Sequence, residues 1–111
     1  MKRVFICSRY AGDVNLNIAV AKMLCQQAVI DGAAPFAPHL LYPQFLDDDD
    51  PGDRLIGIAC GLSFMEQCDE VWVYDGGGIS PGMEHEIKQA ELLGKPVIYW
   101  NPPGICCRCR D

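Results

Sequence analysis

Three things are missing from this chain of 111 residues: a long apolar run, a basic stripe and any internal repeat. The short apolar run that follows Met1-Lys2-Arg3 cannot serve as the hydrophobic region of a secretory signal or as a membrane span, so a soluble, cytoplasmic protein with no membrane partner is expected. Acidic residues outnumber basic ones by 15 to 9, giving a formal net charge of −6, which argues against nucleic acid as a partner because proteins that grip that polyanion carry clustered Lys and Arg. A small phosphorylated ligand stays open, since N–H groups at a helix start hold phosphate without lysines. With no repeat and no low-complexity linker, one domain over residues 1–101 is the natural reading, followed by a cysteine-rich tail over 102–111.

The cysteines lack a partner scheme. Cys7, Cys25, Cys60 and Cys68 sit in apolar runs as small core residues would, and the total of seven is odd, so reduced thiols are expected. Cys106, Cys107 and Cys109 crowd the tail, but no second pair at zinc-site spacing and no nearby histidine completes a ligand set. The acidic run Asp47 to Asp50 reads as capping and solvated charge, because consecutive side chains cannot all face one ion. Neither a metal nor a cofactor is expected.

What the chain does have is a central stretch built as strand, glycine loop and helix. The apolar run Val71 to Tyr74 stops at Asp75-Gly76-Gly77-Gly78, and Ser80-Pro81 then supplies an N-cap residue and a proline at the first helical position. In the helix that runs to Gly94, Met83, Ile87, Ala90 and Leu93 form an apolar stripe, and Glu86 falls inside its edge. Glu84 faces the other way, within i,i+4 reach of Lys88. Glu86 fits two readings: a boundary residue whose carboxylate reaches out to water, or a partly desolvated acid beside whatever the glycine loop binds.

The remaining elements alternate in type. Val4 to Cys7 reads as a buried strand, and Ser8 to Asp13 as the loop leaving it. Asp13 caps a helix with apolar positions Ile18, Ala21, Leu24, Cys25, Ala28 and Val29, which ends at Asp31-Gly32. Ala34 to Ala37 is a second strand closed by Pro38, and His39 to Asp50 is loop-like. His39 is read either as a ligand contact at a strand end or as a hydrogen-bonded loop residue. Leu55, Ile58, Ala59, Leu62 and Met65 recur at helical spacing over Pro51 to Gln67, and Pro96 to Trp100 is a fourth strand.

Four strands alternating with three helices predict an α/β flavodoxin/Rossmann-like three-layer sandwich around a parallel sheet. Ligands of such sheets bind outside the carboxyl ends of the strands. That rule gathers Cys7 to Asp13, Pro38 to Tyr42, Asp75 to Gly82 and the first turns of the third helix around one crevice. The candidate ligand-binding residues there are Cys7, Ser8, Arg9, Gly12, His39, Gly76, Gly77, Gly78, Ser80, Gly82 and Met83.

The segments ICSRYAGD, PFAPHLLYPQFLDDDDP, DRLI and CDEVWVYDGGGISPGMEHEI resemble the nucleoside 2-deoxyribosyltransferase-like superfamily over nearly the whole chain, its small uncharacterised domains most of all. The resemblance implies a nucleoside or nucleotide as small-molecule partner, a homo-oligomer in which a neighbouring subunit completes the site, and a nucleophilic glutamate. In that family the glutamate follows a serine or aspartate by six residues; Ser80 and Glu86 stand so, with Gly82 between. The related 2′-deoxynucleoside 5′-phosphate N-hydrolases place the serine on the substrate phosphate, which implies a similar role for Ser80 and the Gly76 to Gly78 amides. Two departures stand out: Cys60 or Gly61 replaces the family's base-assisting aspartate, and Phe5 its strand tyrosine. The implied activity is retaining N-glycoside cleavage or deoxyribosyl transfer through Glu86, with Asp75, its acidity weakened by burial, as the acid and Tyr10 as a further substitute. The alternatives are a nucleotide-sensing or sequestering module without chemistry, and an interaction domain that uses Trp72, Trp100 and the apolar Leu40, Leu41, Tyr42 and Phe45 as an interface.

Overall fold

The computed structural model describes residues 1–100; Asn101 and the tail with Cys106, Cys107 and Cys109 lie outside them. Strands β1 (Arg3–Cys7), β2 (Ala34–Phe36), β3 (Glu70–Val73) and β4 (Val97–Tyr99) form one parallel sheet in the order β2-β1-β3-β4. Helices α1 (Val14–Ile30), α2 (Pro38–Leu41), α3 (Pro51–Met65) and α4 (Pro81–Leu92) connect them, with a 3-10 turn over Tyr42–Gln44.

Side chains alternate across the sheet and so divide the core in two. Val4, Ile6 and Trp72 point to one face, where Val20, Leu24 and Ala28 of α1 cover them. Phe5, Cys7, Val71 and Val73 point to the other, against Met65 of α3 and Met83 and Ala90 of α4. The three-layer sandwich is thus the observed architecture. In register, Cys7 pairs with Val73, so β1 and β3 end together at the place where the chain turns to opposite sides of the sheet.

Local chemistry explains the long helices. Asp13 accepts the Leu16 N–H at 3.2 Å, Asp50 the Asp53 N–H at 2.9 Å and Ser80 Oγ the Met83 N–H at 3.2 Å, with Pro51 and Pro81 opening α3 and α4. Gly32 and Gly94 close α1 and α4 at φ +83° and +71°, and the Ala33 and Lys95 N–H groups then reach back to the Ala28 and Ala90 carbonyls.

Four expectations need correction. The segment after Pro38 is not a plain loop but α2 and a 3-10 turn. Pro38, read as the end of a strand, also sets the first helical φ, and a four-residue helix is too short for apolar periodicity to reveal. On α3 the inward face carries Gly61 and Met65, flanked by Gly57, Ile58 and Leu62, whereas Leu55 and Ala59 are exposed. Two of the inward positions are glycines, where a Cβ would meet only ordinary contacts, 3.6 Å from Pro38 at Gly61 and 3.5 Å from Leu46 at Gly57. Val29 of α1 is likewise exposed and Val20 takes a buried place. Finally, Glu84 and Lys88 are both exposed and no ion pair joins them.

Candidate functional site

Glu86 sits on the second turn of α4, one turn beyond the Ser80 cap, and the helix packs it against the end of β1. Its side chain is buried, 4% exposed, and its Oε1 has no hydrogen-bond partner. Desolvation pushes the carboxyl up to about 8, only partly offset by the Cys7 thiol beside it. Cys7 is fully buried, with its sulfur 3.8 Å from the Met83 carbonyl. Burial first and the Glu86 charge second raise its own pKa well above the ordinary thiol value, which makes it a neutral neighbour and not a thiolate. The Ser8 hydroxyl, 2% exposed, is a second buried polar group without a partner. Buried polar atoms are normally paired, so two orphans at adjoining strand and helix ends mark a place arranged for something other than stability.

Glu86 lines a cavity of about 120 Å³ outside the carboxyl ends of β1 and β3. The α4 side contributes Ser80 and Gly82, the loop after β1 contributes Tyr10, and α2 contributes Pro38 and His39. The Tyr10 and His39 rings lie 5.4 Å apart and tilted by 32°. Burial lowers the His39 pKa, opposed less strongly by Asp48 and the Ser8 backbone, so the ring is neutral at neutral pH. The opposite wall comprises Tyr42, Leu46 and Asp48 with Asp53, Arg54, Gly57 and Ile58 of α3. Arg54 donates to the Asp48 carbonyl at 3.0 and 3.2 Å and stands 4.0 Å from its carboxylate. An adjoining cleft of about 430 Å³ shares Tyr10, Leu46 and Asp48 and extends past Gly12 to Asp47 and Asp49.

Of the residues named from the sequence, Tyr10, His39, Ser80, Gly82 and Glu86 meet in this cavity, with Cys7 and Ser8 packed around it. His39 therefore faces the cavity, but from a helix and not from a strand end. Arg9 lies over the glycine loop beside it: a Cβ on Gly77 would come within 3.3 Å of its Cδ, and one on Gly78 within 3.7 Å of Nη1. Gly12 borders the adjoining cleft, and Gly76 packs on the Tyr74 ring, where no Cβ fits. Met83 is a core residue at 1% exposure. Asp75, expected to be buried beside Glu86, is instead exposed and does not line the cavity. The chain turns outward after Tyr74, at the loop that Gly78 closes with φ +89°.

Asp48, Asp53 and Arg54 escaped the sequence reading as site residues, whereas Tyr42 belongs to the Pro38 to Tyr42 segment expected at the crevice. The acidic run was explained by capping, which is correct for Asp50, but capping does not say where Asp48 points. Trp72 is also corrected as an interface residue: it is 5% exposed, stacks on Trp100 at 5.7 Å and donates to Glu70 at 2.9 Å.

A family model described as a domain of unknown function (DUF7768) matches residues 2–100. No curated protein matches by sequence. Among solved structures, the chain is similar to the 2-deoxyribosyltransferase of Bacillus psychrosaccharolyticus, at 17% identity and a TM-score of 0.73 over 92% of this chain and 74% of that one. It is similar to the 2-deoxyribosyltransferase of Leishmania mexicana at 16% identity and a TM-score of 0.64, covering 90% of this chain and 64%, less than two thirds, of that one. A CMP N-glycosidase of Clostridium botulinum gives 21% identity and a TM-score of 0.53 over 88% and 70% of the two chains. At such identities the likeness establishes the fold alone: the chain shares the sheet and helix arrangement of these three structures.

Proposed function

The chain belongs to the DUF7768 family, its match spanning residues 2–100, and from that premise we propose that it is an N-glycosidase or deoxyribosyltransferase acting on a nucleoside or nucleotide through Glu86. One observation carries the reading: a buried carboxyl with an unpartnered oxygen lines a cavity at the carboxyl ends of the strands. The structural neighbours named as deoxyribosyltransferases and a CMP N-glycosidase support the same class of substrate.

In this reading Glu86 attacks the anomeric carbon through an oxocarbenium-like transition state, the base departs, and water or a second base resolves the glycosyl ester. A small, largely apolar cavity limits competing water and strengthens the carboxylate against the developing positive charge. Tyr10 and His39 offer ring faces for a base or sugar. The Ser80 hydroxyl, the Gly76 and Gly77 amides and the Arg9 guanidinium are the donors for a 5′-phosphate at the positive start of α4, whereas the Gly78 N–H is taken by the Asp75 carbonyl at 2.9 Å.

A non-catalytic nucleotide-binding module is the second reading, favoured by the outward position of Asp75. The deciding experiment is chromatography of products after incubation with nucleosides, nucleoside 5′-monophosphates and nicotinamide dinucleotide, alongside Glu86→Gln. Free base from wild type, reduced at least ~1000-fold in the variant, is the expected outcome. Tight binding by both proteins with no base released would establish the module instead.

A further inference from the structure

A neutral purine or pyrimidine departs poorly as an anion, and a placed acid typically contributes about 100- to 10,000-fold to such a step. Among the described residues, no lining carboxyl other than Glu86 itself stands free to do this. The Asp48 carboxylate faces Arg54, and the Asp53 carboxylate accepts the Asp47 N–H at 2.9 Å. Burial keeps His39 neutral and pushes the Tyr42 hydroxyl up, which makes it a weaker acid. What the lining offers instead is negative charge, Asp48 and Asp53 against Arg54, the single lining cation among the described residues, reinforced in the adjoining cleft by Asp47 and Asp49. The Tyr10 and Tyr42 ring faces add attraction for a flat cation. Beside them lies the independent mark of a ligand, the buried and unpartnered Oε1 of Glu86.

We infer that the preferred substrate is an N-glycoside whose leaving base already carries positive charge, such as a pyridinium or an N-alkylated purine, so that cleavage needs no general acid. This deepens the preceding reading and rests on it. The Glu86 carboxylate oxygen forms a bond to C1′ while the C1′–N⁺ bond breaks. The bonding pair neutralises the ring nitrogen, and the base leaves uncharged without taking up a proton. Water oxygen then attacks C1′, the ester C1′–O bond breaks and regenerates the carboxylate, and water's proton is released, one per turnover. A bound cation also favours the ionised form of the nearby carboxyl, so substrate and nucleophile activate each other.

The test uses nicotinamide ribonucleotide and its reduced 1,4-dihydro form, which carry the same phosphate and differ only by the ring's positive charge. Calorimetry on Glu86→Gln, which holds the ligand without turnover, is expected to show the cationic form bound at least ~5-fold more tightly, with the preference lost in Glu86→Gln combined with Asp48→Asn or with Asp53→Asn. Two separate carboxylate variants guard against the loss of one fold. Wild type should release nicotinamide and one proton per turnover, with an enhancement over spontaneous hydrolysis at least ~100-fold greater than for inosine or cytidine 5′-monophosphate. Equal enhancement on the neutral substrates, abolished by Glu86→Gln, overturns this inference and leaves the glycosidase reading standing. Cleavage that survives Glu86→Gln, or no base from any substrate, overturns the glycosidase reading and this one with it.

Discussion

A carboxyl group held at 4% exposure with one oxygen unpaired is arranged against its own solvation. Two consequences can be measured at Glu86. In the proposed mechanism the attacking carboxylate must be ionised, so kcat/KM should rise with pH and level off above about 8, where the carboxyl titrates. The second consequence concerns stability. In the folded chain the carboxyl is raised to about 8 from its ordinary 4.5, so in the interval between those values the unfolded chain has shed a proton that the folded chain retains. Stability from this group is therefore complete below about pH 4.5, falls as pH rises, and is lost by about pH 8. Glu86→Gln removes that dependence. Urea melts should find the variant more stable than wild type by on the order of 3 kcal/mol near pH 7, with the gap closing toward pH 4.5. His39, whose pKa is lowered, acts in the opposite sense in both proteins, so the difference between them isolates Glu86.

The elements carry their own tests. Ser80 caps α4 and stands beside the cavity, so Ser80→Ala should cost about 1 kcal/mol through the lost bond to the Met83 N–H. In α3, Gly61→Ala places a Cβ at ordinary contact distance from Pro38 and Phe5. Helix propensity then dominates, and thermal melting should rise by roughly 4 to 8 °C for a gain near 1 kcal/mol. Gly76→Ala is the contrast: the new methyl meets the Tyr74 ring, which must leave its packing, and a loss of roughly 1–3 kcal/mol is expected in the same melts. Caps and helix stops were legible in the chain because each is a local bond between residues a few positions apart. The inward face of α3 was not legible. Its inward positions include Gly57 and Gly61, and periodicity counts large side chains.

At the scale of the whole fold, an apolar face stays uncovered among the described residues. Leu55 is 67% exposed, Ile56 and Phe64 52% each and Phe45 65%, and the rings of Phe64, Phe36, Tyr42 and Phe45 run in contact across it. Tyr42 also lines the cavity, so this face reaches the site. From Leu55 to Met65 the chain has no charged residue, in a protein with a net charge of −6. Such a helix is normally covered on all sides. A second copy of the chain as the cover makes sedimentation the measurement at this scale: wild type should sediment as an oligomer, and Phe64→Glu with Ile56→Glu should shift it to the monomer. A wild-type monomer would remove this reading. Among the described residues no helix is long and apolar enough to cross a membrane.

Read alone, the sequence determined the order of the strands and the three long helices, the parallel sheet, the caps and the nearness of Ser80 and Glu86, because these follow from periodicity and from contacts local in the chain. Tertiary structure decided which way ambiguous side chains face. It closed Glu86 off from water and turned Asp75 toward it. It folded the stretch after Pro38 into a helical wall, and it brought Asp48, Asp53 and Arg54 to a cavity shared with Tyr10 and His39. Those outcomes depend on packing between segments tens of residues apart, and burial of a polar group is a property of all its neighbours together, which no spacing along the chain encodes.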